Sequence, residues 1–258
     1  MGIDGVRMKQ EILAALDHVE QQYSVRILCA VESGSRAWGF ASQDSDYDVR
    51  FIYAHPRDWY LSVFEQRDVI EPQGDGLLDP SGWDLRKALR LFAKCNLALN
   101  EWLSSPIVYR ETGGFRSQLQ ALIPAYFNPI AAIHHYSSMA NVALDARDSS
   151  GAVNTKKLFY ALRALFACRW IERNVSQPPT EFEQLLVSVA DDNERSWVAD
   201  LLAKKAEGRE ADKTSAIRQH LDRMVGELAT FENYATRASR PTKARPDGLD
   251  AILRQWAN

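Results

Sequence analysis

Every stretch of this sequence that reads as a β-strand lies in its first half, and from Asn128 onward helical periodicity alone remains. That segregation constrains the architecture more than any other feature, and the class it implies is α+β. In the first half, Ile12, Leu13, Leu16 and Val19 recur at helical spacing and lead into a buried strand from Val25 to Val31. Gly34, Ser35 and Gly39 break the pattern in a loop, and Asp46 to Tyr53 alternates as a second strand should. His55 to Gln66 reads as a short helix with Trp59, Tyr60, Val63 and Phe64 on its apolar side, followed by a strand-like Arg67 to Glu71 and a turn at Pro72, Gly74, Asp75 and Gly76. Leu77 to Asp79 predicts a third strand ending at Pro80, and Ser81 and Asp84 have the offset of a capping box before a helix faced by Leu85, Ala88, Leu89 and Phe92. The later helices are expected over Ile130–Ala146, Thr155–Asn174, Glu181–Val189, Arg195–Ala206 and Thr214–Glu232, with a second capping box at Thr180 and Glu183. The expected organisation is an α+β domain at 1–127, a helical bundle domain at 128–235, and a basic linker and C-terminal tail at 236–258 with a short apolar element at Leu249–Leu253.

Composition excludes several classes of function. The chain has 258 residues, 46% of them apolar, which is ample for a core, and its formal net charge of −3 argues against a polycation that coats nucleic acid. Nucleic-acid contact would need a local patch, for which the run Arg237, Arg240, Lys243 and Arg245 is the candidate. No stretch approaches the length of a membrane span, and Met1 to Glu20 carries no secretory apolar run, so the expected location is the cytoplasm and no membrane partner is expected. Cys29, Cys95 and Cys168 are distant from one another and set in apolar surroundings, as buried thiols of a reducing compartment are.

The chemistry is concentrated in Glu32 to Tyr53, ESGSRAWGFASQDSDYDVRFIY. Asp46 and Asp48 stand two apart in a predicted strand, so their carboxylates emerge on one face. Paired oxygen donors suit a hard divalent cation, Mg²⁺ or Mn²⁺, and phosphoryl or nucleotidyl transfer needs such a cation. Upstream, Gly34 and Ser35 allow backbone amides and a hydroxyl to approach phosphate oxygens, and Arg36 is a further candidate for phosphate contact. Lys156, Tyr160 and Arg163 share one face of a predicted helix, where a cation stripe could hold a triphosphate. Arg163 interrupts an apolar run and needs an anionic partner, either phosphate or a carboxylate such as Glu101.

The Gly-Ser pair, the intervening loop and the Asp-x-Asp strand together resemble the nucleotidyltransferase superfamily typified by DNA polymerase beta. The blocks Gly82 to Lys87, Asn100 to Pro106 and Lys156 to Glu172 narrow the likeness to the bacterial RNA repair pathway polymerase-beta family. The resemblance implies a mixed β-sheet nucleotidyltransferase domain with an appended helical domain, a divalent metal, and a nucleoside triphosphate as substrate. It also implies a third carboxylate on a later strand, for which Asp79 fits better than Asp84, the latter lying in a helical first turn. Asp46, Asp48 and Asp79 would then be the catalytic and metal-binding acids, and Gly34, Ser35, Arg36, Lys156, Tyr160 and Arg163 the nucleotide-binding residues. Three functions stay open: nucleotidyl transfer to an RNA end, the same transfer to a protein or small molecule, and nucleotide binding without turnover.

Overall fold

The computed structural model describes residues 3–42, 44–72, 76–145, 154–206, 215–238 and 247–257. The fold is α+β, with a five-stranded mixed sheet and helices that dominate the second half. Two compact units divide the chain: Met1–Trp38, Asp44–Tyr126 and Lys243–Asn258 form the first, and Gly39–Gln43 with Phe127–Thr242 form the second.

In the first unit α1 (Ile3–Tyr23) leads into β1 (Arg26–Glu32), the short α2 (Gly34–Trp38) and β2 (Tyr47–Ala54). There follow α3 (Arg57–Tyr60), β3 (Val69–Ile70), β4 (Leu78–Asp84), α4 (Leu85–Ala93), α5 (Leu97–Leu103), β5 (Val108–Glu111), α6 (Phe115–Gln120) and α7 (Ile123–Tyr126). The strand order is β3-β4-β2-β1-β5; β2 and β4 run parallel and every other neighbouring pair is antiparallel. Strand alternation separates two apolar layers. Val49, Phe51 and Tyr53 face Ile12, Leu16 and Val19 of α1, while Ile52 and Ala54 join Leu85, Leu89 and Phe92 of α4 on the opposite face. Asp48 and Arg50 are in phase with Ile52 and Ala54 along β2, so the polar end of that strand opens from the second face.

The second unit contains α8 (Pro129–Asp145), α9 (Thr155–Asn174), α10 (Phe182–Val189), α11 (Asp192–Ala206), α12 (Ser215–Glu232) and α13 (Tyr234–Arg237). Arg169 of α9 fastens three of these helices together, because its guanidinium makes a two-pronged contact with Glu194 of α11 at 2.7 Å and also binds Glu227 of α12. Phe40, from the five-residue piece that precedes β2, packs in this unit against the rings of Phe159 and Phe182, with centroids 5.3 and 5.5 Å away.

Several sequence expectations need correction. The helix expected over His55–Gln66 stops at Tyr60, and Val63 and Phe64 are 92% and 82% exposed. The strand expected to end at Pro80 continues to Asp84. Pro80 is tolerated because β3 pairs with β4 at Gly82 and Trp83, leaving the outer side at Pro80 without a ladder bond that the missing N–H would have made. Ser81 lies inside β4 rather than capping a helix, and Thr180 does not cap α10, whose N-cap residue is Glu181. The segment 236–258 is not simply a tail: α14 (Asp247–Trp256) places Leu249, Ile252 and Trp256 in the core of the first unit, and Trp256 donates from Nε1 to Gln118. Arg240, Lys243 and Arg245 of the basic run, and Gly74 and Asp75 of the expected turn, lie outside the described residues.

Candidate active site

β1 ends at Glu32, and the chain turns through Ser33 into α2, whose first residue, Gly34, has a φ of +60°. Left-handed backbone of this kind strains any residue with a Cβ. Space makes the same demand, since a Cβ on Gly34 would stand 2.2 Å from Asp48 Oδ2. The volume that a side chain would fill is occupied by the Asp48 carboxylate, so the glycine of the motif and its acid are one packed unit. Ser35 is buried in the turn that follows.

Backbone and side-chain hydrogen bonds fix Asp48 against this turn. Ser33 N donates to Asp48 O at 2.9 Å, and Asp48 N donates to Glu32 Oε1 at 2.8 Å. Glu32 has no exposed surface, its other carboxylate oxygen accepts from the Tyr109 hydroxyl, and Ser105 Oγ donates to its carbonyl at 2.6 Å. Burial pushes the Glu32 carboxyl up to about 7, against the opposing pull of the Tyr109 and Asp48 donors.

Across the parallel pair, Asp48 stands opposite Asp79. The two carboxylates are joined by Arg50, whose Nη2 donates to Asp48 Oδ1 at 2.9 Å and to Asp79 Oδ2 at 2.7 Å. Asp46 is exposed and immediately precedes Tyr47, the first residue of β2, while Asp48 lies within the strand. Arg36 is engaged by the approach to β2: Nε donates to Asp46 O at 3.0 Å, Nη2 to Ser45 O at 2.7 Å, and the guanidinium lies 3.6 Å from the Tyr47 ring centre. It clamps the loop that delivers Asp46.

Asp84, the alternative to Asp79, has a structural task. Its Oδ1 accepts from Arg86 N and Lys87 N at the start of α4, and its Oδ2 accepts from the Tyr60 hydroxyl at 2.7 Å. Burial pushes its carboxyl upward against these three donors. Its register partner on β2 is Tyr53, at the far end of the strand pair from Asp48 and Asp79.

In the second unit, the face expected from Lys156, Tyr160 and Arg163 divides by depth. Lys156 is exposed and Tyr160 half-buried, and together with His135, Met139, Val142 and Lys157 they line a cavity of about 840 Å³. Arg163 is wholly buried, with Nε and Nη2 donating to Thr180 O at 3.3 and 3.2 Å, and it offers no surface to a ligand in this structure.

The donor set bears on the divalent metal that the sequence implies. Among the described residues no three His, Cys, Asp or Glu side chains already gather as a metal cage. Asp48 and Asp79 nevertheless present hard oxygen donors from neighbouring strands, and the position between them already holds a cationic group. These residues fit a metal that enters between two carboxylates. Glu32 and Arg50 were missed as site residues in the sequence. Arg50 was legible there, because Asp46, Asp48 and Arg50 fall at strand spacing, whereas the burial of Glu32 depends on Tyr109 and Ser105, distant in the chain.

Over 211 residues the chain is 48% identical to the uncharacterized protein YcgL of Bacillus subtilis (strain 168), covering 81% of each. A crystal structure of a nucleotidyltransferase-like protein from Exiguobacterium sibiricum 255-15 aligns with 96% of this chain and 75% of its own, at 14% identity and a TM-score of 0.31. Residues 8–255 match the model of the RNA repair pathway DNA polymerase beta family. The chain therefore belongs to the RNA repair pathway DNA polymerase beta family.

Proposed function

We propose that the protein is a metal-dependent nucleotidyltransferase that moves a nucleoside monophosphate from a nucleoside triphosphate to an acceptor hydroxyl, with an RNA end as the acceptor. The observation that carries this reading is the interlock of Gly34 with Asp48, together with Asp79 facing Asp48 across the parallel strands. Asp48 and Asp79, with Asp46 at the strand entrance, would hold Mg²⁺ or Mn²⁺. When bound, the metal would neutralise triphosphate charge and favour the deprotonated acceptor hydroxyl.

The chain's own residues have separable tasks in this scheme. Glu32 and Ser33 hold the Asp48 backbone in register, and Gly34 leaves the room that its carboxylate occupies. Gly34 and Ser35 bring backbone amides to the phosphate side of the site, and Arg36 keeps Asp46 beside β2 through its carbonyl. Lys156 and Tyr160 line a cavity of the second unit and stay candidates for nucleotide contact there. The buried free cysteines Cys29, Cys95 and Cys168 suit a reducing cytoplasm, and no helix among the described residues is long and apolar enough to cross a membrane.

Family membership supports RNA as the acceptor. The test is transfer of label from the four α-³²P nucleoside triphosphates into total RNA, protein and small-molecule fractions, with pyrophosphate release as the second readout. Label in RNA supports the reading, label confined to protein or small molecules replaces the acceptor, and absence of pyrophosphate release with every acceptor leaves a nucleotide-binding protein without turnover. For the basic run, Arg240, Lys243 and Arg245 are changed together to glutamine. Deleting 236–258 would instead remove Leu249, Ile252 and Trp256 from the core. Each lost phosphate contact should flatten the log–log salt dependence of RNA binding by about 0.7.

A further inference from the structure

Arg50 lies where the site would take its cation. Its Nη2 is shared between Asp48 Oδ1 and Asp79 Oδ2, and its Nη1 donates to the Asp79 carbonyl oxygen at 2.6 Å. The Arg50 side chain is 18% exposed, whereas that of Asp79 is 60% exposed, so the guanidinium sits beneath an accessible carboxylate. Two carboxylates that face each other on adjacent strands repel unless a cation stands between them, and the chain supplies one from within the same strand. A divalent ion held by these two carboxylates would need the space that Nη2 fills and would repel the guanidinium. Arg50 and the metal are alternative occupants of one position.

We propose that Arg50 is a positioning residue that keeps Asp48 and Asp79 aimed at each other in the metal-free enzyme, yields them to the metal, and then takes a phosphate oxygen of the triphosphate. The inference rests on the nucleotidyltransferase reading above. Entry of metal alone breaks both of Arg50's carboxylate contacts and leaves the guanidinium without an anion. Triphosphate supplies the replacement, and a planar fork of N–H donors is well matched to phosphate. Metal and nucleotide therefore strengthen each other's binding, reciprocally as linkage requires. Arg50 follows Asp48 by two residues on the same strand face, which keeps the released guanidinium beside the site.

The experiment measures Mn²⁺ binding to the full chain by electron paramagnetic resonance, alone and with a set of the four α,β-methylene nucleoside triphosphates. Wild type should bind Mn²⁺ more tightly when the analogues are present. Arg50→Gln should bind Mn²⁺ alone roughly tenfold more tightly than wild type, with most of the nucleotide enhancement lost. Arg50→Lys, whose ammonium lacks the fork, should fall between them, and it carries the comparison if Arg50→Gln fails to melt cooperatively. Mn²⁺ affinity at or below the wild-type value in these variants overturns the proposal. Asp48→Asn separates the two levels: loss of Mn²⁺ binding in it upholds the site whatever Arg50 does, whereas wild-type Mn²⁺ binding removes the metal site and the role of Arg50 with it.

Discussion

Replacing Gly34 with alanine probes the contact on which the site is built. At a φ of +60° the new side chain costs about 1–2 kcal/mol in backbone strain. Its Cβ would also stand 2.2 Å from Asp48 Oδ2 and 3.2 Å from Asp48 Cγ, so the carboxylate must retreat by roughly 1 Å to reach ordinary contact. That retreat loosens the 2.9 Å bond from Arg50, a partly exposed ion pair worth up to about 1 kcal/mol. The sum, about 1–3 kcal/mol, corresponds to a fall in melting temperature of roughly 2–12 °C for a chain of this size. Activity should suffer more, because displacing a catalytic carboxylate by ~1 Å costs on the order of 100-fold. Gly39→Ala supplies the control, since Gly39 has a φ of +89° but nothing within 4 Å of where its Cβ would stand. Thermal melts and pyrophosphate release would be measured on both variants. If Gly34→Ala loses stability as Gly39→Ala does yet turns over at the wild-type rate, the carboxylate at Asp48 is not the group that the motif exists to place.

Asp79→Asn should reduce turnover by orders of magnitude with little change in melting, whereas Asp84→Ala should lose about 1–2 kcal/mol through its cap and retain activity; the reverse pattern in the paired assay would exchange their roles. For Glu32, burial raises the folded carboxyl above its unfolded value, so the stability it lends is complete below about pH 4.5 and is lost as pH rises toward about 7. The loss is on the order of 3 kcal/mol, and Glu32→Gln should flatten the denaturation midpoint across that window; an unchanged pH slope would show that Glu32 does not titrate there. Tyr53→Phe should be neutral or stabilising by about 1 kcal/mol in urea denaturation, because the Tyr53 hydroxyl is buried without a hydrogen-bond partner among the described residues. A clear loss of stability would reveal a partner for that hydroxyl.

Strand and helix identity was largely legible because it rests on local periodicity. The expected helix over Thr155–Asn174 is found at those residues, and β2 starts one residue later than the alternation of Asp46–Tyr53 suggested. Local patterns failed where a distant element supplied the deciding contact. Pro80 lies inside β4 because β3 leaves that side of it unpaired, and Val63 and Phe64 read as the apolar face of a helix that has no partner layer to bury them. The apolar element near Leu249 was visible, yet its place in the first unit was not, since the residues that receive it, Phe115 and Gln118, lie far back in the chain.

By itself the sequence determined the α+β class, the family and the pairing of a Gly-Ser turn with acids on the next strand, because each depends on residues close together in the chain. Tertiary structure alone decided that Asp79 faces Asp48, that Arg163 is buried and that Glu32 underpins the site. Each of these depends on strand register or on burial by residues remote in sequence, and neither quantity is encoded within a local window of residue types.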